Sequence, residues 1–122
     1  MKAEKINLLE KFEKLPAGDY AVGLIAEMND YEFKIVKFKG DFVWHSHLET
    51  DETFIILEGE LIMNFRDRKV QVQAGEMIVV PKGVEHKPSS LDGYKALLIE
   101  PEGVPNTGDV KNEITIKEVI RV

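Results

Sequence analysis

The chain has 122 residues, a net charge of −6 and no cysteine, and 43% of its residues are hydrophobic. This length suits one domain with its own core, and the lack of cysteine excludes disulfides and thiolate zinc clusters. The negative charge disfavours nucleic acid, and no stretch approaches the ~20 apolar residues of a membrane span. The N-terminus is charged where a signal peptide would be apolar, so we expect a cytoplasmic protein that binds neither nucleic acid nor membrane.

Residues 1–15 mix apolar and charged side chains, which predicts either one or two helical turns or an extended arm. The apolar positions that would share the helical face are Leu8, Leu9, Phe12 and Leu15. A segment with proline and glycine at residues 16–19 separates this arm from the rest of the chain.

From Tyr20 onwards the pattern predicts short strands separated by turn residues, with almost no helical periodicity. The predicted strands are residues 20–28, 31–39, 42–47, 53–57, 61–66, 70–73, 77–80, 84–87 and 94–99, with 113–117 as a further edge strand. The predicted turns include residues 58–59 and 91–93. This pattern is typical of an antiparallel sandwich or barrel. We expect a single domain over residues 1–122, with a barrel core at about 20–100 and a tail at 101–122.

All three histidines lie in two stretches that are punctuated by glycine and proline. In a strand over residues 42–47, His45 and His47 point to the same face. His86 follows a predicted turn at residues 81–83 in the second stretch. Three imidazoles and one carboxylate suit a divalent transition metal (Fe, Mn, Ni, Co, Cu or Zn) better than calcium or magnesium, which prefer oxygen ligands. The histidines therefore predict a metal site.

The carboxylate of this site is open between Glu49, Asp51 and Glu52. Glu49 has the same parity as the two strand histidines, whereas Glu52 lies an odd number of residues from both. Glu52 can join them only if residues 48–51 form a turn, in which case it begins the inner face of the next strand. Spacing alone does not choose between the three.

Beyond the metal site, the sequence points to no particular catalytic residue. The candidate acid–base groups are Tyr31, Tyr94, Glu27 and Lys34, each of which is more often an ordinary strand residue. The basic turn at residues 66–69 is a candidate phosphate site, although a charged hairpin tip is usually solvated. Trp44 lies on the strand face opposite the histidines, so we expect it to pack outside the barrel or at a dimer contact.

Two motifs resemble those of the cupin superfamily. The first is Gly40-(x4)-His45-Ser46-His47-(x4)-Glu52-(x6)-Gly59, and the second is Gly75-(x5)-Pro81-Lys82-Gly83-(x2)-His86. The resemblance extends from about residue 6 to residue 109 and is to small single-domain cupins described as mannose-6-phosphate isomerase-like. The first spacer is one residue shorter than its commonest form. Ser90 stands where an asparagine often closes the second motif.

This resemblance implies an all-β fold, a double-stranded β-helix (jelly-roll) barrel with a short N-terminal arm or helix. It also implies a metal in the barrel mouth, bound by His45, His47, Glu52 and His86, and thereby selects Glu52. Small cupins commonly pair into homodimers through N-terminal strands and sheet edges. The candidate segments for a homodimer here are residues 1–15 and 113–122.

The function implied is that of a metal-dependent enzyme of the oxygenase or isomerase type, acting on a small polar metabolite. Four protein ligands leave two positions free on an octahedral ion, enough for a small-molecule ligand to chelate it. One alternative is a non-catalytic module that binds a metal and a sugar or other metabolite. Another is a dimer in which the metal is structural.

Overall fold

The computed structural model describes residues 2–110, 115–116 and 119–122. In these residues it contains one short helix followed by seven strands. The elements are α1 (Leu8–Phe12), β1 (Tyr20–Met28), β2 (Tyr31–Asp41), β3 (Glu52–Phe65), β4 (Lys69–Gln73), β5 (Met77–Val80), β6 (His86–Pro101) and β7 (Ile120–Arg121). No helix in the described part of the chain is long and apolar enough to cross a membrane.

The strands form one antiparallel sheet that wraps around an apolar interior. Their order is β4-β3-β6-β2-β1-β7, and β5 pairs with the first part of β3. Only the β1–β7 pair is parallel among these. Alternate residues of β2, β3 and β6 point inward, because side chains alternate faces along a strand. The inward-facing apolar residues of these three strands are Val36, Phe38, Phe54, Ile56, Ala96 and Leu98.

The N-terminal arm takes the helical form of the two that the sequence allowed. Asn7 caps α1, since its side-chain oxygen accepts a hydrogen bond of 3.1 Å from the Glu10 N–H. Phe12 and Leu15 are buried with Ile35 in a second apolar cluster, on the outer face of β1 and β2. The arm is therefore held by packing against its own sheet.

Gly23 of β1 permits a close approach of both chain ends to the sheet. A Cβ atom at this position would lie 2.6 Å from Val122 and 2.8 Å from Leu15. Gly23 also pairs with Ile120 of β7. The C-terminal strand therefore covers this part of the β1 edge.

Four of the predicted strands prove to be parts of two long ones. Residues 53–57 and 61–66 fall almost entirely in β3, while residues 94–99 and the end of the 84–87 segment fall in β6. The predicted turns at residues 58–59 and 91–93 are wrong, because the chain bends there without reversing. Gly59 pairs with Tyr94, and a Cβ on Gly59 would lie only 2.2 Å from the Gly93 carbonyl oxygen. Both glycines have positive φ, so they mark a bend where two long strands cross closely.

The predicted strand at residues 42–47 is also wrong as a regular strand. In the described residues this segment forms one isolated bridge, between His45 and His86. Phe42 donates its N–H to the Pro88 carbonyl at 2.9 Å, but proline has no N–H to return. The ladder is therefore interrupted on this side of the bridge. The predicted edge strand at residues 113–117 lies largely outside the described residues.

Candidate metal centre

The structure brings the four metal ligands expected from the cupin resemblance to one point. One nitrogen or oxygen from each of His45, His47, Glu52 and His86 can be chosen so that all four lie within 4.8 Å of one another. All four side chains are buried, with His86 only 1% exposed. The imidazole centres of His45 and His86 are 4.3 Å apart.

The loop between the histidine bridge and β3 decides which carboxylate reaches this point. Glu49 is exposed, and Asp51 accepts a hydrogen bond of 2.9 Å from the Lys82 N–H. Gly83 donates its N–H to the His47 carbonyl at 2.8 Å, which ties the two histidine-bearing stretches together. Glu52 begins β3 and points inward. The turn at residues 48–51 thus exists, and it gives Glu52 the inward position that parity alone did not choose.

Backbone carbonyls orient two of the imidazole rings. His45 Nδ1 lies 2.8 Å from the Val43 carbonyl oxygen, and His86 Nδ1 lies 2.9 Å from the Val84 carbonyl oxygen. A carbonyl accepts only, so a neutral ring in this contact carries its proton on Nδ1 and keeps a lone pair on Nε2. The same outer hydrogen bond orients histidine ligands in known metal sites.

Several buried polar atoms at this point have no hydrogen-bond partner in the described part of the chain. They are His47 Nδ1, His47 Nε2, Glu52 Oε1 and His86 Nε2. His47 Nε2 lies 3.1 Å from Glu52 Oε2, and His86 Nε2 lies 3.3 Å from Glu52 Oε1, without the alignment of hydrogen bonds. Buried polar atoms are almost always paired, so a cluster of unpaired lone-pair donors needs an explanation. A cation between them supplies one, and the N₃O donor set fits a divalent transition metal.

The pKa shifts of His45 and Glu52 favour the protonation states in which these two groups bind a metal. Burial, reinforced by the neighbouring His86 ring, lowers the pKa of His45 to about 4. Burial by itself would raise the pKa of Glu52, but its contacts with His47 and His86 reverse this and hold the pKa well below its ordinary value. A neutral imidazole and an ionised carboxylate are the forms that bind metals.

A cavity lies inside the barrel next to His45 and Glu52. Its volume is about 50 Å³, which corresponds to roughly four water molecules. Most of its wall is apolar and comes from the inner faces of the strands. The apolar lining is Val22, Val36, Phe42, Phe54, Pro88, Leu98, Val104, Ile116 and Val119, and the further polar lining is Tyr20, Lys34, Tyr94, Glu100 and Asn106.

A buried charged network forms one wall of this cavity. Lys34 Nζ lies 2.9 Å from Glu100 Oε1 and 3.3 Å from Glu32 Oε1. Burial by itself would lower the pKa of the Lys34 ammonium group. The neighbouring Glu100 and Glu32 have a larger effect, and the pKa is raised. Burial and the nearby negative charge of Glu52 raise the pKa of Glu100 to about 9. Lys34 acts in the opposite direction on the pKa of Glu100, but its effect is smaller than that of burial and Glu52.

Of the four candidate acid–base groups, two lie at the cavity and two do not. Lys34 and Tyr94 line the cavity. Tyr31 is 46% exposed, and Glu27 is an exposed residue that pairs with Arg121. The last two therefore lie outside the site.

Three polar residues of the cavity were not found from the sequence. Glu100 follows Tyr94, Ala96 and Leu98 at alternate positions, so strand parity could have placed it on the inner face. Tyr20, at the first position of β1, and Asn106, in the C-terminal segment, carried no comparable signal.

The aromatic and basic groups outside the barrel contact one another. The Arg66 guanidinium lies 3.9 Å from the centre of the Trp44 ring, which agrees with the outward position expected for Trp44. Arg66 also pairs with the Glu85 carboxylate at 3.2 Å, and Arg68 pairs with Asp67 at 3.4 Å. Both arginines of the basic turn are thus already engaged, and phosphate binding there stays a prediction.

Comparisons with known proteins agree with this geometry. Residues 34–99, which include all four clustered side chains, match the family model described as Cupin domain. A cupin-2 domain-containing protein from Shewanella frigidimarina NCIMB 400 is 52% identical, with a TM-score of 0.76 over 80% of this chain and 94% of that chain. A protein of known structure from Neisseria meningitidis is 32% identical, with a TM-score of 0.70 over 81% of this chain and 100% of that one.

Two curated relatives match about half of the chain. The uncharacterised protein YdbB of Bacillus subtilis (strain 168) is 40% identical over 67 residues, which are 54% of this chain and 59% of that protein. The 3-hydroxyanthranilate 3,4-dioxygenase of Xanthomonas euvesicatoria pv. vesicatoria (strain 85-10) is 37% identical over 65 residues, 50% of this chain and 37% of that enzyme. The chain thus spans less than two thirds of either relative.

These comparisons identify the architecture. The wrapped antiparallel sheet confirms the expected all-β jelly-roll with a short N-terminal helix. The matched segment runs from β2 to β6 and so contains both histidine motifs. The chain belongs to the cupin family.

Proposed function

We propose that the chain binds one divalent transition metal through His45, His47, Glu52 and His86. The observation that carries this proposal is the buried group of three imidazoles and one carboxylate, in which one ligand atom from each residue lies within 4.8 Å of the others and atoms of His47, Glu52 and His86 have no partner in the described part of the chain. Leaving such atoms without a partner is costly in a protein interior. A bound ion would satisfy one nitrogen each of His47 and His86 together with the Glu52 carboxylate.

We further propose that the protein is a metal-dependent enzyme of the oxygenase type that acts on a small metabolite. When bound, a metal with this ligand set can act as a Lewis acid and can activate dioxygen. The sequence match to a 3-hydroxyanthranilate 3,4-dioxygenase supports an oxygenase over the isomerase type, which stays a prediction. The adjoining cavity supports a substrate that enters the barrel.

The chain's own residues would prepare this site in three ways. The carbonyls of Val43 and Val84 hold two imidazoles in position. Glu52 offsets one charge of a divalent ion, so the centre keeps a net positive charge that favours an anionic oxygen ligand. The apolar cavity wall limits the water around the reacting groups, which strengthens their electrostatic interactions.

Oxygen consumption by iron(II)-loaded protein tests the proposed reaction class. We expect uptake with at least one member of a panel of catechols, aminophenols, diketones and thiols. Glu52→Gln should abolish the uptake, because it removes the anionic ligand. Glu49→Gln is the matched control and should retain it, because Glu49 is exposed.

The other outcomes of this test discriminate between the remaining functions. Ligand-induced thermal shifts without turnover of any panel member would contradict the enzyme and favour a binding module. Conversion of a sugar or sugar phosphate without oxygen uptake would favour the isomerase type. A melting temperature that collapses on chelation, with no response to any small molecule, would favour a structural metal.

A further inference from the structure

Two polar groups in the described wall of the cavity beside the proposed metal centre have no hydrogen-bond partner, the Tyr94 hydroxyl and Glu100 Oε2. The Tyr94 hydroxyl makes no hydrogen bond to any residue that the structure describes, although the side chain is only 5% exposed. Tyr94 lies on the inner face of β6, in register with Leu98 and Glu100. The hydroxyl oxygen is not among the fully buried unpaired atoms of the described residues, so it is open to the cavity and can donate to an acceptor there.

Apart from Glu100 Oε2, the other polar side chains in the described cavity wall away from the metal centre have partners. Lys34 contacts Glu100 and Glu32. The Tyr20 hydroxyl accepts a hydrogen bond of 2.9 Å from Asn106 Nδ2. Of the two tyrosine hydroxyls in the described wall of the cavity, that of Tyr94 is therefore the one without a protein partner.

The packing of the Tyr94 ring does not require a hydroxyl group at this position. The ring contacts Phe38, with 6.2 Å between the ring centres, and belongs to the main apolar core. Phenylalanine would keep that contact. Burial raises the pKa of Tyr94 well above its ordinary value, so the group stays a neutral phenol that can donate a hydrogen bond.

The rest of the cavity sets the shape of the ligand. The wall contributed by Val36, Phe54 and Leu98 is apolar, and the volume, roughly that of four water molecules, admits only a compact group. The cavity touches the metal centre through His45 and Glu52. A ligand that fills it can present one polar end to the metal and a second polar group to Tyr94.

We propose that the site takes a compact, mainly apolar molecule with an anionic oxygen group for the metal and a second oxygen that accepts a hydrogen bond from the Tyr94 hydroxyl. Tyr94 is then a specificity-determining residue, which selects ligands with this second oxygen over analogues that lack it. The proposal rests on the metal site proposed above. It adds the chemical class of the ligand.

Matched pairs of probes test this selection on the full-length, cobalt(II)-loaded protein. The pairs are benzoate with 4-hydroxybenzoate and butyrate with 4-hydroxybutyrate, titrated by calorimetry and by the visible spectrum of the cobalt centre. In at least one pair we expect the hydroxylated member to bind about fivefold to tenfold more tightly, the effect of one hydrogen bond. Tyr94→Phe should remove this preference. Tyr31→Phe, the same change at an exposed position, should retain it.

Each remaining outcome is decisive. Equal binding within both pairs, no binding of any probe, or a preference that survives Tyr94→Phe would overturn the assignment of Tyr94. Cobalt content is measured first in all three proteins. If the wild type takes up no cobalt, the metal site itself is wrong, and calorimetry on the metal-free chain still decides whether Tyr94 selects hydroxylated probes.

Discussion

Glu100 is a buried carboxyl group that contacts Lys34 in the wall of the cavity. The Lys34 ammonium donates to Oε1 at 2.9 Å, and the negative charge of Glu52 acts on the same group. Residues behind a metal ligand hold it in place and typically change metal affinity by about 10–100-fold when removed. Glu100 is in a position to do this for Glu52.

The raised pKa of Glu100 predicts how the stability of the metal-free protein depends on pH. The ordinary pKa of a glutamate side chain is 4.5, and that of Glu100 in the fold is about 9, so the folded state holds a proton that the unfolded chain releases within this window. Stability should therefore fall as pH rises from about 4.5 to 9. Glu100→Gln replaces the neutral acid with a neutral amide of similar shape, so it should remove this part of the dependence.

Urea unfolding of the metal-free proteins at pH 5.5 and pH 8 measures this effect. Between these two values the wild type should lose on the order of 3 kcal/mol relative to Glu100→Gln. Other titrating groups are common to both proteins and largely cancel in the difference. Equal losses in the two proteins would show that Glu100 is ionised in the fold.

Single residues differ in how far the sequence predicts their roles. The shared direction of His45 and His47 is predictable, because alternate residues of an extended segment point to the same side even where the segment forms no regular ladder. The choice of Glu52 over Glu49 depends on the path of residues 48–51, which is fixed by the contact of Asp51 with Lys82 across the site. A contact between distant segments leaves no local periodicity to detect.

At the scale of elements, the segment at residues 102–110 lies against the histidine-bearing segment beside the proposed metal centre. We refer to it as the C-terminal strap. Ser46 and Asp109 exchange two hydrogen bonds, from Ser46 N–H to Asp109 Oδ1 at 2.9 Å and from Asp109 N–H to the Ser46 carbonyl at 3.0 Å. Val104 and Asn106 of the strap line the cavity. The strap lies beyond the segment that matches the family.

Gly108 allows this close approach and offers a test of it. Its φ is +57°, and a Cβ atom would lie 2.1 Å from the Ser46 carbonyl oxygen. Gly108→Ala should therefore push the strap away from the metal centre and make metal removal by a chelator about tenfold faster, for roughly 1–3 kcal/mol of strain. The measurement is the rate at which excess EDTA strips cobalt(II) from the loaded protein.

Gly103→Ala is the matched control for this experiment. Gly103 also has positive φ, at +80°, but no atom lies within 4 Å of its Cβ position. Both variants have the backbone strain of alanine at positive φ. Only Gly108→Ala adds a clash between the new Cβ atom and the Ser46 carbonyl oxygen. Equal stripping rates for both would show that the strap does not restrict access to the metal.

Strand boundaries were harder to predict than strand positions. Strand β5 has the limits that alternation predicts, whereas β3 and β6 each join two predicted strands. Two glycines caused the wrong strand boundaries. Gly59 and Gly93 are of a residue type common in turns, but here they permit a close crossing of two bent strands. Turn chemistry shows where the backbone leaves a regular extended path, and not whether it reverses.

At the scale of the whole molecule, the homodimer stays a prediction. The two segments proposed for it both contact their own chain. The helix α1 packs on β1 and β2, and Ile120 and Arg121 pair along β1. A dimer would therefore add to edges and faces that these segments already partly cover.

The fold as a whole was predictable because two spaced motifs fixed both the architecture and the expected ligands. The cavity was less predictable. Its lining combines β1, β2, β3 and β6 with residues of the C-terminal segment such as Asn106 and Ile116. Asn106 accepts a hydrogen bond of 2.7 Å from the Ile116 N–H and donates one to Tyr20, which joins the two ends of the chain. These contacts join residues that are far apart in the sequence, so no local sequence pattern predicts them.

The most direct test of the metal site is elemental analysis of natively purified full-length protein and its variants. We expect about one transition metal ion per chain in the wild type and in Glu49→Gln. Loss of the metal is expected in Glu52→Gln and in the double variant His45→Ala, His47→Ala, with circular dichroism to verify that each remains folded. Undiminished metal in the folded double variant, or none in the wild type even after incubation with iron, cobalt, nickel or zinc, would contradict the account.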